Sequence, residues 1–225
     1  MTTNNTAPSS GASSERRSFL TRFNAGAASI AALALGSRAL AQTKAAAPAR
    51  FEPARHDKDD WMEQLPGKHR VVFDTISASG FGDALLFANN FMAANRSDYG
   101  LQNSDLAIIV IARHISTAFG YNDAMWAKYG AQMAPISGLD TAPKANPRSA
   151  GGFGVESLAK GGVQFAVCAM ATRRIAGSIA QGTGGNVDAI NAELIANLVT
   201  NGRMVPAGIV AVNRAQERGY SLVTP

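Results

Sequence analysis

Cys168 is the only cysteine in a chain of 225 residues, and it ends the apolar run Gln164-Phe165-Ala166-Val167-Cys168. In an oxidising compartment a lone thiol has no internal disulfide partner, so it is buried and inert, joined to another chain, or kept free for chemistry. Thr172, Arg173 and Arg174 follow within two turns. A helix beginning near Thr172 would surround a charged sulfur with amide N–H groups and two guanidinium ions. On that reading Cys168 is a candidate nucleophile, with Thr172 and Arg173 as candidate binding groups. The other reading of Cys168 is a small core hydrophobe. His114 closes a second apolar run, Leu106 to Ala112. If the two runs are neighbouring strands, His114 would activate the thiol or bind an anion; a hydrogen-bonded structural histidine is the alternative. Asn122 and Asp123 would orient that imidazole or cap the next helix, and capping is the expectation for Asn122. Trp126, with Phe119, Tyr121 and Met125, would line an apolar pocket, a subunit contact or the core.

Other chemistry finds little support. The three histidines are scattered and suggest no metal site, and no residue pattern calls for a cofactor. His56 beside Asp57, Lys58, Asp59 and Asp60 reads as a solvated charge run. Gly80-Phe81-Gly82-Asp83 lacks the third glycine of a dinucleotide loop and puts a carboxylate where a phosphate would sit. Gly182-Thr183-Gly184-Gly185 has no Gly-Lys-Ser/Thr. Both glycine stretches are expected to be turns.

The elements that must position these residues alternate in type. Arg70 to Ile76, Asp105 to Ala112, Gly162 to Cys168, Arg203 to Val205 and Tyr220 to Val223 have the apolar character of strands, the second apolar almost throughout. Between them, Gly82–Asn95, Tyr121–Tyr129, Val155–Lys160, Asn186–Val199 and Pro206–Arg218 read as helices, with Asn186 as an N-cap and Pro206 in a first turn. Gly130 to Gly152 reads as a long loop. Strand–helix alternation of this kind implies an α/β fold with a parallel sheet covered on both faces.

The N-terminus carries an address. Arg16-Arg17-Ser18-Phe19-Leu20 precedes an alanine-rich apolar stretch and the small-x-small site Ala39-Leu40-Ala41. That order predicts a twin-arginine signal over residues 1–41, cleavage before Gln42 and a periplasmic mature protein. Residues 42–67, with three prolines and no apolar period, read as a flexible arm, and 68–225 as one domain. Removing residues 1–41 takes four arginines and one glutamate, which lowers the net charge from +5 to +2. Nucleic acid therefore loses its electrostatic support as a partner, and no later run is apolar enough to span a membrane.

Gly161 to Cys168, followed by Val205-Pro206-Ala207-Gly208 and Gln216-Glu217-Arg218-Gly219-Tyr220, resembles the DsrE/DsrF-like family of small sulfur-relay proteins. The similarity runs from about His69 to the C-terminus, and the last third carries the distinctive motifs. The resemblance implies a three-layer α/β/α sandwich with a five-stranded parallel sheet, and assembly as a homo-oligomer, a trimer or hexamer. It also implies neighbouring strands for His114 and Cys168, and a persulfide-bearing cysteine at the position of Cys168. A sulfur donor or acceptor protein, or a small thiol, would then be the partner. The chain departs from the family in its export signal, its arm, its 130–152 loop and its lack of a second cysteine. A non-catalytic ligand-binding or assembly module on the same fold is the competing expectation.

Overall fold

The computed structural model describes residues 51–225; the export signal expected at 1–41 and the first part of the arm lie outside them. Five strands, β1 (His69–Thr75), β2 (Leu106–Ala112), β3 (Gln164–Cys168), β4 (Gly202–Val205) and β5 (Ser221–Val223), form one sheet in the order β4-β3-β2-β1-β5. Every pairing is parallel. β2 lies at the centre and all seven of its residues are buried, as its unbroken apolar sequence requires.

Among the described residues seven α-helices accompany the strands: α1 (Trp61–Gln64), α2 (Ala78–Tyr99), α3 (Asp123–Ile136), α4 (Val155–Lys160), α5 (Ala169–Thr183), α6 (Val187–Ala196) and α7 (Gly208–Gln216). Alternation along the strands divides the core in two. Val71, Phe73, Ile108, Val110, Phe165 and Val167 face a large cluster built with α2 to α6. Val72, Ile109, Ile111, Ala166 and Val205 face a smaller one made with α7, Met62 and Tyr220. The three-layer α/β/α sandwich is therefore present, and it is lopsided. Crossovers between parallel strands are right-handed, so β1→β2→β3→β4, which step in one direction, carry their helices on one face. Only the return from β4 to β5 lays a helix on the other.

Local boundaries differ from the sequence reading for identifiable reasons. The Ser77 side chain caps α2 by accepting from the Gly80 amide at 3.0 Å, so Gly80-Phe81-Gly82-Asp83 lies inside a helix and is not a turn. The expected helix at Tyr121–Tyr129 is α3, which starts later and runs to Ile136, well into the expected loop, because Met133 and Ala134 are buried. A 3-10 helix, His114–Gly120, occupies the stretch before it. Pro206 lies outside α7, whose N-cap is Ala207. Gly184 ends α5 in the left-handed conformation, as a turn glycine should. Within the expected flexible arm, Asp57–Gln64 is folded onto the smaller core and Met62 is fully buried. No helix among the described residues is long and apolar enough to cross a membrane.

Candidate functional site at the carboxyl edge of the sheet

Cys168 is the last residue of β3 and pairs in register with Val205, the last residue of β4. The chain leaves β3 for the α2–α6 face and leaves β4 for the α7 face. Adjacent strands whose connections diverge in this way open a crevice at their carboxyl ends, where α/β sheets hold ligands. Cys168 stands at that point.

The thiol also serves as the N-cap of α5. Its Sγ accepts from the Ala171 amide at 3.5 Å, and the helix begins at Ala169, three residues earlier than expected. An anionic sulfur here would meet that N–H and the positive end of a 15-residue helix. Access is narrow, since Cys168 is 6% exposed.

Thr172 lies beneath it, fully buried. Its Oγ1 donates to the Cys168 carbonyl oxygen at 2.9 Å and accepts from the Tyr121 hydroxyl at 2.8 Å. Burial raises the Tyr121 pKa well above the ordinary phenol range, so the phenol stays protonated and acts as the donor in this chain. Thr172 thus supports the strand-to-helix junction and does not face a ligand.

The arginines are placed differently from the sequence reading. Arg173 and Arg174 are exposed, and Arg173 pairs with Asp188 on α6. The cation whose field meets Cys168 is Arg113, just past the end of β2. Its Nε and Nη2 donate to the two oxygens of the buried Asp74 carboxylate at 2.6 and 2.7 Å. The bond to Asp74 raises the Arg113 pKa, burial partly offsets the rise, and the negative charge of Asp74 adds to it, as would that of an ionised Cys168. Gly208, in the first turn of α7, makes room for this pair: a Cβ there would lie 2.4 Å from the Arg113 Cβ. The signal in the sequence was a charged residue closing each of two apolar runs: Asp74 after Val71-Val72-Phe73 and Arg113 after Leu106 to Ala112.

His114 reaches the same edge and is exposed, in a left-handed backbone conformation with φ of 58°. Among the described residues no hydrogen bond or ion pair joins it to Cys168. Asn122 caps α3, accepting from the Met125 amide at 3.2 Å. Asp123 is exposed and holds the 137–154 connection by accepting from the Asn146 amide at 3.0 Å. Trp126 is fully buried, stacks on Phe119 and donates to the Ala118 carbonyl, so it is core and not pocket lining. The structure therefore gathers Cys168, Thr172 and His114 at one edge and takes Arg173, Asn122, Asp123 and Trp126 away from it. Ile76, Met170 and Ile209, one residue after β1 and in the first turns of α5 and α7, stand at that edge with 48%, 71% and 58% of their surface exposed. The described residues hold no group of three His, Cys, Asp or Glu side chains able to bind a metal ion.

No protein-family model matches the chain, and no curated protein matches it. Among solved structures, a protein of unknown function from Methanobacterium thermoautotrophicum is similar at 18% identity with a TM-score of 0.40, over 70% of this chain and 100% of that one.

Proposed function

We propose that this chain is an exported, DsrE-like protein that binds or relays a sulfur species through Cys168. The observation that carries the reading is the position of the thiol: the only cysteine of the chain caps a helix N-terminus at the point where the connections from β3 and β4 part. Such a position supplies an N–H donor and a helix end to a negative sulfur. In the relay step the Cys168 thiolate attacks the outer sulfur of a donor persulfide, R–S–SH. A new S–S bond forms at Cys168, the donor's S–S bond breaks, and R–S⁻ leaves with the electron pair, so no oxidant or reductant is consumed. Ile76, Met170 and Ile209 offer apolar surface on which a donor would rest. Secretion by the twin-arginine route and assembly as a homo-oligomer belong to the same proposal.

A second reading is favoured by one observation. Cys168 is 6% exposed and its Sγ is already engaged by the Ala171 amide, as a purely structural cap would be. In that case the edge holds a ligand or partner without covalent chemistry. Intact-mass spectrometry of the mature protein after exposure to inorganic polysulfide separates the two. Gain of one sulfur by the wild type and none by Cys168→Ser supports the relay. No gain, with a thiol that maleimide labels only after unfolding, makes Cys168 a cap and leaves the binding module.

A further inference from the structure

The segment Asp57–Leu65 lies against the sheet face that has only α7 to cover it, and it is held there by a cradle of arginines. Met62 enters the smaller core as a fully buried knob. The carbonyl end of the short helix α1 is captured from outside. Arg70 donates to the Met62, Glu63 and Leu65 carbonyl oxygens at 3.0, 3.3 and 3.2 Å, and the Tyr220 hydroxyl donates to Met62 at 2.6 Å. Two carboxylates of the segment face arginines near the C-terminus, Asp59 toward Arg214 at 3.6 Å and Glu63 toward Arg218 at 3.2 Å. The Arg203 guanidinium covers the ring of Trp61 at 5.3 Å. The segment is thus an acidic strap with an apolar knob, and the surface beneath it is a basic socket with an apolar floor.

The fit within one chain is incomplete. The Arg218 side chain is 1% exposed, yet its Nε lies near Glu63 Oε1 without hydrogen-bond alignment and its Nη2 has no partner. Glu63 is drawn at the same time toward Arg55, two residues before the segment. A buried guanidinium left short of acceptors is costly. The strap reaches β1 through three residues, Pro66, Gly67 and Lys68. Gly67 has φ of 109°, and a Cβ on it would sit 2.5 Å from the Leu106 backbone, which pins the hinge against β2. Short hinges under constraint favour exchange of the element they carry.

We infer that residues 57–65 are an exchangeable strap, and that the arginine socket also accepts the same strap from a second copy of this chain. The occupant follows from complementarity: any partner must present two acids, an aromatic and an apolar knob in this spacing, and a second copy carries them by construction. Delivered from another body, the strap is not tethered to the β1 it docks beside, and Glu63 is free to turn both oxygens onto Arg218. Two straps exchanged about a two-fold axis close the assembly.

Charge reversal tests this on the full chain. Glu63→Arg and Arg218→Glu are purified separately, checked for folding by circular dichroism, then mixed in equal amounts. In the mixture each strap finds a matching socket only on the other variant, so light scattering should give about twice the mass of either variant alone. A mixture that keeps the mass of its folded components overturns the proposal. If Arg218→Glu does not fold, deleting Pro66 replaces it: the shortened hinge should double the mass relative to wild type, and adding Glu63→Arg should reverse that. An unchanged mass on hinge shortening is the contrary result.

Discussion

At the scale of single residues, the site is a helix cap that happens to be a thiol. Sulfur is a poor capping acceptor, and a serine hydroxyl is among the best. Cys168→Ser should therefore fold and match or exceed the wild type in stability. Cys168→Ala, which leaves the Ala171 amide without its acceptor, should lose about 1 kcal/mol. For a domain of this size that loss is a fall of roughly 2–4 °C in melting temperature, which calorimetry resolves. The comparison also separates the chemical role of the sulfur from its structural one, since both variants remove the nucleophile and only one removes the cap. Tyr220, in the smaller core, reports on stability by its own titration. Burial, first among its causes, raises the Tyr220 pKa from 10.0 to about 12, while Arg70 and Arg218 act against the rise. The raised value means the folded state keeps its proton longer than the unfolded one. Stability from this group is whole below pH 10 and falls between pH 10 and about 12, so absorbance titration should show phenolate appearing together with alkaline unfolding.

At the scale of elements, the carboxyl edge depends on how closely α7 can approach the end of β2. Gly208→Ala places a methyl group against Arg113 and must move either the helix or the guanidinium that grips Asp74. A loss of about 1–3 kcal/mol is expected from such overpacking, and Arg113→Lys, which cannot reproduce the two-point contact, should also destabilise by urea titration. On the opposite side of the large core, α3 and α6 are clasped by Glu193, which accepts from Lys128 and from the Tyr129 hydroxyl at 2.6 Å. These bonds, that to Lys128 foremost, lower the Glu193 pKa. A carboxylate whose folded value is depressed stabilises the fold above its unfolded pKa and loses that contribution as pH falls through the folded value. Glu193→Gln should flatten this acidic limb of the stability profile by removing the same contribution at neutral pH, and both effects should be small because the clasp is largely solvated.

At the scale of the whole molecule, the proposal joins an address to a domain. Replacing Arg16 and Arg17 together by lysine should leave an unprocessed precursor in the cytoplasm. N-terminal sequencing of the wild-type periplasmic fraction should begin at Gln42, and a chain beginning at Met1 would contradict export with cleavage. The domain itself closes its ends on each other: Met62 is bonded by Tyr220, 158 residues later.

Strand–helix alternation, the buried character of β2 and the caps at Asn122 and Asn186 were all legible in the residues, because each depends on periodicity or on a side chain bonding within its own turn. The placement of Cys168 at a strand end was legible for the same reason. Other features depended on which groups, distant in sequence, were brought within reach. Nothing local said that Arg173 would turn to Asp188 while Arg113 took Asp74, or that Trp126 would disappear into the core. In the charged run Asp57–Asp60, Asp57 and Lys58 are solvated as expected, but Asp59 is buried where Arg214 of α7 comes within 3.6 Å of it, a contact no local pattern announces. Ion pairs and interior packing are matters of three-dimensional proximity, and only the tertiary structure sets that.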